Sequence, residues 1–166
     1  VLTEAATGPY LYTPIVAALA GATEVIAVTD DSKYASKETV RERTLDAAKE
    51  WNVEDRIRVV FETTTDDIAT SEIITNTGFV RPIDESMILE MKPTAVVPLM
   101  WETWEIRGDV DLRACSENDI LVLGTDESKE PVRMYDYAGF VAMKLLFELG
   151  LEGNKTETLL LGTGEG

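Results

Sequence analysis

The sequence predicts an α/β protein: a three-layer, mostly parallel open sheet of flavodoxin or Rossmann type, with helices on both faces. Three observations lead there. Short β-branched runs alternate with helical stretches along the chain. The runs are continuously apolar, as in "VIAV" and "AVVPLM", which marks strands buried on both faces and therefore paired in parallel. The runs also end in polar residues, at the edge where an open α/β sheet holds its ligands.

Taken in order, the first strand ends in "VLTEA". "TGPYLYTPIVAALAGA" then reads as a turn and a short apolar helix from about Pro9 to Ala20. "TEVIAVTDD" is a buried strand, apolar from Val25 to Val28. "SKETVRERTLDAAKEWN" (Ser36 to Asn52) is the clearest helix, with Val40, Leu45, Ala48 and Trp51 near one face. "IRVVFE" is a strand, and "DDIATSEIITNTG" supplies a helical turn and then a strand from Glu72 to Thr75. "PIDESMILEM" is a helix with Asp84 as N-cap, and "TAVVPLM" another buried strand. "VDLRACSEN" is a short helix, "DILVLGT" a strand, and Val132 to Gly150 a long helix closed by Gly150. "TETLLLG" is the last strand. The expected organisation is one domain over residues 1–150, a Gly- and polar-rich linker over 151–157, and, over 158–166, the first strand and turn of a second, nucleotide-binding unit.

Composition narrows the function. The chain of 166 residues carries 31 acidic against 15 basic residues, a net charge of −16. Such a surface repels phosphate backbones and anionic lipid, so nucleic acid and membrane surfaces are poor partners. No histidine is present, which excludes a His-based acid, base, triad or zinc site built from this chain alone. The single cysteine, Cys115, rules out an internal disulfide and reads as a small buried residue. With no secretory leader pattern the default compartment is cytoplasmic, and the start at Val1 looks cut or processed.

The strand ends select the candidate site residues. Gly8 in "EAATGPY" allows close backbone approach to a phosphate, or simply makes a tight turn. Asp30 in "VTDD" stands where a dinucleotide fold places the carboxylate that bonds a ribose hydroxyl; a helix cap with a solvated acid is the plainer alternative. In "TNTGFVRP", Asn76 and Thr77 offer hydrogen bonds, Gly78 a close approach, and Arg81 a guanidinium that grips a carboxylate or else neutralises Asp84 or Glu85. "LMWETWEIRGD" sets Trp101 and Trp104 around Glu102 and Glu105. These make either a pocket with paired carboxylates for acid–base work or a packing surface for a neighbouring domain or subunit. The first half also has the look of a methyltransferase motif region, with "EDRIRVV" as its helix-to-strand link, and there adenosylmethionine would sit at Gly8 and Asp30.

From about Ile73 to Gly166 the pieces "PIDESMILEMKP", "TAVVPLMWETWEIRGDVDLRACSENDILVLGTDES", the Tyr135–Leu149 stretch and "LLLGTGEG" follow one another in a familiar order. In that order and spacing the chain resembles the NAD-dependent D-2-hydroxyacid dehydrogenases of the formate and glycerate dehydrogenase group, and more distantly adenosylhomocysteinase. The resemblance implies a substrate-side domain joined by a long helix to a cofactor domain. NAD or NADP would be held there by Gly162 and Gly164, and the catalytic residues would lie in or beyond that second domain. The family's Gly-rich loop is here the bulky, acidic "MWETWEIRGDVDL", which points away from an ordinary 2-hydroxy acid. The expectation is therefore an oxidoreductase-like protein acting on a small, anionic metabolite held by Asn76–Arg81 and Trp101–Glu105, with a homodimer as its assembly. A non-catalytic domain that senses a small metabolite is the alternative.

Overall fold

The computed structural model describes residues 1–100, 108–126, 129–130, 134–152, 154 and 157. It divides into two compact units, Val1–Gly124 and Thr125–Gly166.

The first unit is an α/β open sheet, as the apolar runs require. Its strands are β1 (Leu2–Glu4), β2 (Val25–Val28), β3 (Ile57–Val60), β4 (Val96–Pro98) and β5 (Leu121–Leu123). β1, β2 and β3 pair in parallel in that order, and β4 pairs in parallel with β5. The predicted strand over Glu72–Thr75 is reduced to two parallel bridges, Leu2 with Ile74 and Ile73 with Val96. That short segment nonetheless joins the two sheets, giving the sequence β3, β2, β1, Ile73–Ile74, β4, β5. The chain moves outward from β1 to β3, then returns to the other side of β1 and moves outward again. This is the Rossmann order rather than the flavodoxin one, and its reversal lies between β1 and Ile74.

Helices cover the sheet according to this reversal. On one face α1 (Thr13–Leu19) and α2 (Lys37–Glu50) bury Ile15, Ala18, Val40 and Ala48 against Val25, Ala27, Ile57 and Val59. On the other, α3 (Thr65–Thr70), α4 (Glu85–Glu90) and α5 (Leu112–Glu117) bury Ile68, Ile88, Ala114 and Cys115 against Leu2, Ile26, Ile74 and Val97. The caps follow the sequence. Ser36 accepts the Thr39 N–H, Thr64 and Asp67 form a reciprocal capping box, and Asp84 accepts the Met87 N–H. Cys115 is buried as expected, and burial, with the Asp111 charge nearby, pushes its thiol up.

Two local readings need correction. The segment from Pro9 to Ala20 is a tight 3-10 turn over Gly8–Tyr12 followed by α1, because Pro14 restarts the helix at its first turn. Trp51 does not face the core: it is 55% exposed, at the C-cap of α2, where Asn52 turns the chain through positive φ. Val40 and Ala48 face inward as read, and Thr44 joins them.

In the second unit α6 spans Met134–Glu148, and Gly150 just beyond it turns the chain as predicted, with a φ of +75° that suits a residue without Cβ. The Leu151 N–H reaches back to Leu146 and the Gly150 N–H to Phe147. Tyr137, Phe140 and Phe147 are exposed on this helix. No helix among the described residues is long and apolar enough to cross a membrane.

Candidate functional site

The candidate site is the carboxyl edge of the sheet where the strand order reverses, the place at which open α/β sheets hold their ligands. On one side stands the end of β1, running from Glu4 through the Gly8 turn. On the other stands the turn Thr75–Arg81, whose Val80 and Arg81 N–H groups both donate to the Thr77 carbonyl. Asp30 follows β2 on the same edge.

Each predicted residue can now be placed. Asn76 and Thr77 are buried, while Gly78 is exposed at the edge of the turn. The Asn76 amide oxygen accepts the Met100 N–H at 2.7 Å, so this side chain ties the turn to the chain leaving β4. Thr75 links the turn to β1 by donating its hydroxyl to Thr3 at 2.9 Å, and it lies 3.0 Å from the Thr77 hydroxyl. Arg81 pairs with Asp109 at 2.7 Å, and the Asp84 carboxylate caps α4. Hydrogen bonds from Ser86 and the Met87 N–H hold the Asp84 carboxyl below the usual range. Asp30 is exposed, accepts the Asp31 N–H, and stands 3.7 Å from Lys37. Gly8 has φ +66°, which explains a glycine there. Trp101, Glu102, Trp104, Glu105, Gly162 and Gly164 lie outside the described residues, so the structure brings together only Gly8, Asp30 and the Asn76–Arg81 turn.

Sequence reasoning passed over the residue that dominates this geometry. Glu4, the last residue of β1, is only 4% exposed. Its Oε2 accepts the Phe79 N–H at 3.3 Å, and a Cβ placed on Gly78 would stand 2.7 Å from that same oxygen. Burial pushes the Glu4 carboxyl up; the Phe79 N–H, Arg81 and the Gly78 N–H pull it back down. Glu4 forms no ion pair among the described residues. The other buried carboxylate, Asp67, is paired with Arg58, and although burial pushes it up, that pairing and the Thr64 capping bonds bring it below the usual range. The signal available in the sequence was an acid at the end of the first strand, four residues before Gly8.

Two hollows adjoin the turn. One of about 860 Å³ runs along α1 on the α1–α2 face and is lined by Thr3, Tyr12, Val16, Ile73, Thr75 and Met100. A smaller one of about 230 Å³ lies between Thr63, Phe79, Val80, Met87 and Glu90. No group of three or more acidic or cysteine side chains among the described residues is placed to hold a metal ion.

The crevice also sets limits on a ligand. A pyrophosphate needs free backbone N–H groups at a helix start, and preferably a cation. Here Pro9 stands in the first turn after Gly8 and Pro14 in the first turn of α1, and neither has an N–H to offer. Glu4 and Asp30 add negative charge at the same edge. The residues therefore fit a pyrophosphate poorly and fit hydroxyl groups or a positive charge well. No family model matches the chain, and no curated protein matches it.

Proposed function

We propose that residues 1–124 form the nucleoside-binding unit of an enzyme that acts on a small metabolite. The ligand lies across the carboxyl ends of β1 and β2 and the Thr75–Gly78 turn. The observation that carries this reading is the reversal of strand order at β1, with Gly8, Asp30 and the Asn76–Gly78 turn all on its carboxyl edge. Asp30 bonds the ribose hydroxyls, and Gly8 lets the backbone come close. Of the two cofactors the sequence suggests, adenosylmethionine suits the described crevice better than NAD or NADP. It carries no phosphate and brings positive charge to an acidic edge.

Titration calorimetry tests this directly. The reading expects S-adenosylmethionine to bind and to weaken roughly tenfold in Asp30→Asn, for a charged hydrogen bond to a hydroxyl lost. NADH should give no measurable binding. Binding of NADH in preference would return the cofactor to the dehydrogenase-like reading, and binding of neither would overturn the nucleoside site.

The oxidoreductase-like reading retains one supporting observation. Arg81 sits at the end of the same turn with its guanidinium 37% exposed, where an anionic metabolite could share it with Asp109. On that reading Gly162 and Gly164 open the unit that carries NAD or NADP. Trp101, Glu102, Trp104 and Glu105 are the further substrate-side candidates that the sequence offers to that reading.

A further inference from the structure

We infer that the hollow along α1 is a second ligand site, built for a small neutral molecule with an apolar body and one acceptor oxygen. Neither Gly8 nor Asp30 lines it, and it does not rest on the nucleoside reading. Side chains alternate along a strand. Leu2 and Ile74 enter the core under α3, α4 and α5, so Thr3, Ile73 and Thr75 face the other way. There α1 lays Ile15 and Ala18 against Val25 and Ala27 and leaves Ile73 41% exposed. The space beside it is about 860 Å³, within the roughly 300–1,000 Å³ of small-molecule sites. Tyr12, Val16, Ile73 and Met100, all exposed, converge on this one hollow instead of lying scattered over the surface.

The lining also asks for a polar atom. Thr3 and Thr75 are buried there, where valine would fill the same volume without needing a bond. The Thr75 hydroxyl donates to Thr3, so the 3.0 Å bond between Thr75 and Thr77 is donated by Thr77. This chain of three hydroxyls ends at Thr3, whose own proton meets no acceptor among the described residues. A buried donor without a partner costs free energy, and this one, 1% exposed, lies on the wall of the hollow. An oxygen of the ligand answers it. The two carboxylates on the lining, Glu24 and Glu72, are paired with Arg58 and Lys92 at 3.3 and 3.4 Å, so neither calls for a cation. No basic side chain among the described residues lines the hollow to call for an anion. The class that fits is a neutral ketone, ester or ether of one or two rings.

The test titrates 1-indanone and indane, one frame with and without a carbonyl, while amide resonances are followed. Both should shift Val16, Ala20 and Ile73 and leave Asp30 in place, so this site and the nucleoside site stand or fall separately. Thr3→Val keeps the side-chain shape and should weaken 1-indanone roughly two- to tenfold, the range of a neutral hydrogen bond, while indane is unchanged. Val16→Trp, at a position 60% exposed, should close the hollow to both probes without disturbing the core. No shift at these amides in the wild type overturns the site. Equal effects of Thr3→Val on the two probes overturn the bond to Thr3. If that variant does not fold, the Thr3 γ-methyl resonance of the wild type decides: it should move more with 1-indanone than with indane, and equal movement overturns the bond. Resonances of Val16 and Ile73 that broaden with protein concentration before any probe is added would seat a second copy of the chain in the hollow and overturn the small-molecule reading.

Discussion

Replacing Gly78 by alanine measures how firmly Glu4 is fixed. The backbone at Gly78 does not lie in the positive-φ region, so alanine suits its conformation. By unfolded-state entropy alone the change should stabilise by about 0.4–1 kcal/mol. The added Cβ would, however, stand 2.7 Å from Glu4 Oε2. A glutamate in open space would swing aside at little cost. Glu4 is buried and bonded to the Phe79 N–H, so moving it gives up a hydrogen bond to a charged group, about 1.5–3 kcal/mol. The net expectation is a loss of about 1–2 kcal/mol, the lost bond outweighing the entropy gain. In a Glu4→Ala background the obstacle is gone, and the same change should stabilise by about 0.4–1 kcal/mol. Urea unfolding of the four proteins in a double-mutant cycle reads the coupling, expected at about 1.5–3 kcal/mol. Additivity within about 0.5 kcal/mol would show that Glu4 is not held as the geometry says.

Three further outcomes follow from named contacts. Glu4→Gln should stabilise the fold by about 1–2 kcal/mol at neutral pH, since it removes a buried charge and keeps an acceptor for Phe79. The wild type binds the Glu4 proton more tightly folded than unfolded. Its stability therefore declines as pH rises from the ordinary glutamate range through the raised folded value, and the variant lacks that decline. Asp67→Asn removes the Arg58 pair and half of a capping box, and thermal unfolding should show a loss of about 2 kcal/mol. The Asp67 carboxyl is lowered in the fold, so its contribution is present above the ordinary aspartate range and is lost as pH falls through the folded value. The buried Cys115 thiol, pushed up by burial, should react with a chromogenic disulfide reagent only at the rate of unfolding; prompt reaction in buffer would contradict its placement.

What was legible in the sequence was whatever depends on near neighbours. The strand at Val25–Val28 announces itself by a continuous apolar run, that at Ile57–Val60 by β-branched residues around Arg58, and Asp84 by standing just ahead of a helical stretch. The Asn76–Gly78 turn was legible as polar residues after an apolar run. What escaped depends on long-range placement. Glu4 gains its meaning from a backbone N–H 75 positions away, and Arg81 is answered by Asp109, 28 positions on. Trp51 matched the helical period but fell where α2 ends, and a period carries no information about where the helix stops. The strand order, too, depends on which side of β1 the chain returns to after α3, and nothing local to Ile73 specifies that.

The Ile73–Ile74 segment joins the two halves of the sheet with few bonds. Leu2 exchanges two hydrogen bonds with Ile73 and Thr75, and Val96 two with Ile74 and Glu72. Broader ladders hold β1 to β2 to β3 on one side. Mechanically this makes the middle of the sheet its weakest line, and amide exchange at Leu2, Ile74, Thr75 and Val96 should report opening there before the outer ladder yields. The proposed nucleoside bridges the carboxyl end of that same line. A molecule seated on the end of β1 and the Asn76 turn would act as a clasp across the seam, and slowed exchange at those four amides would register its arrival.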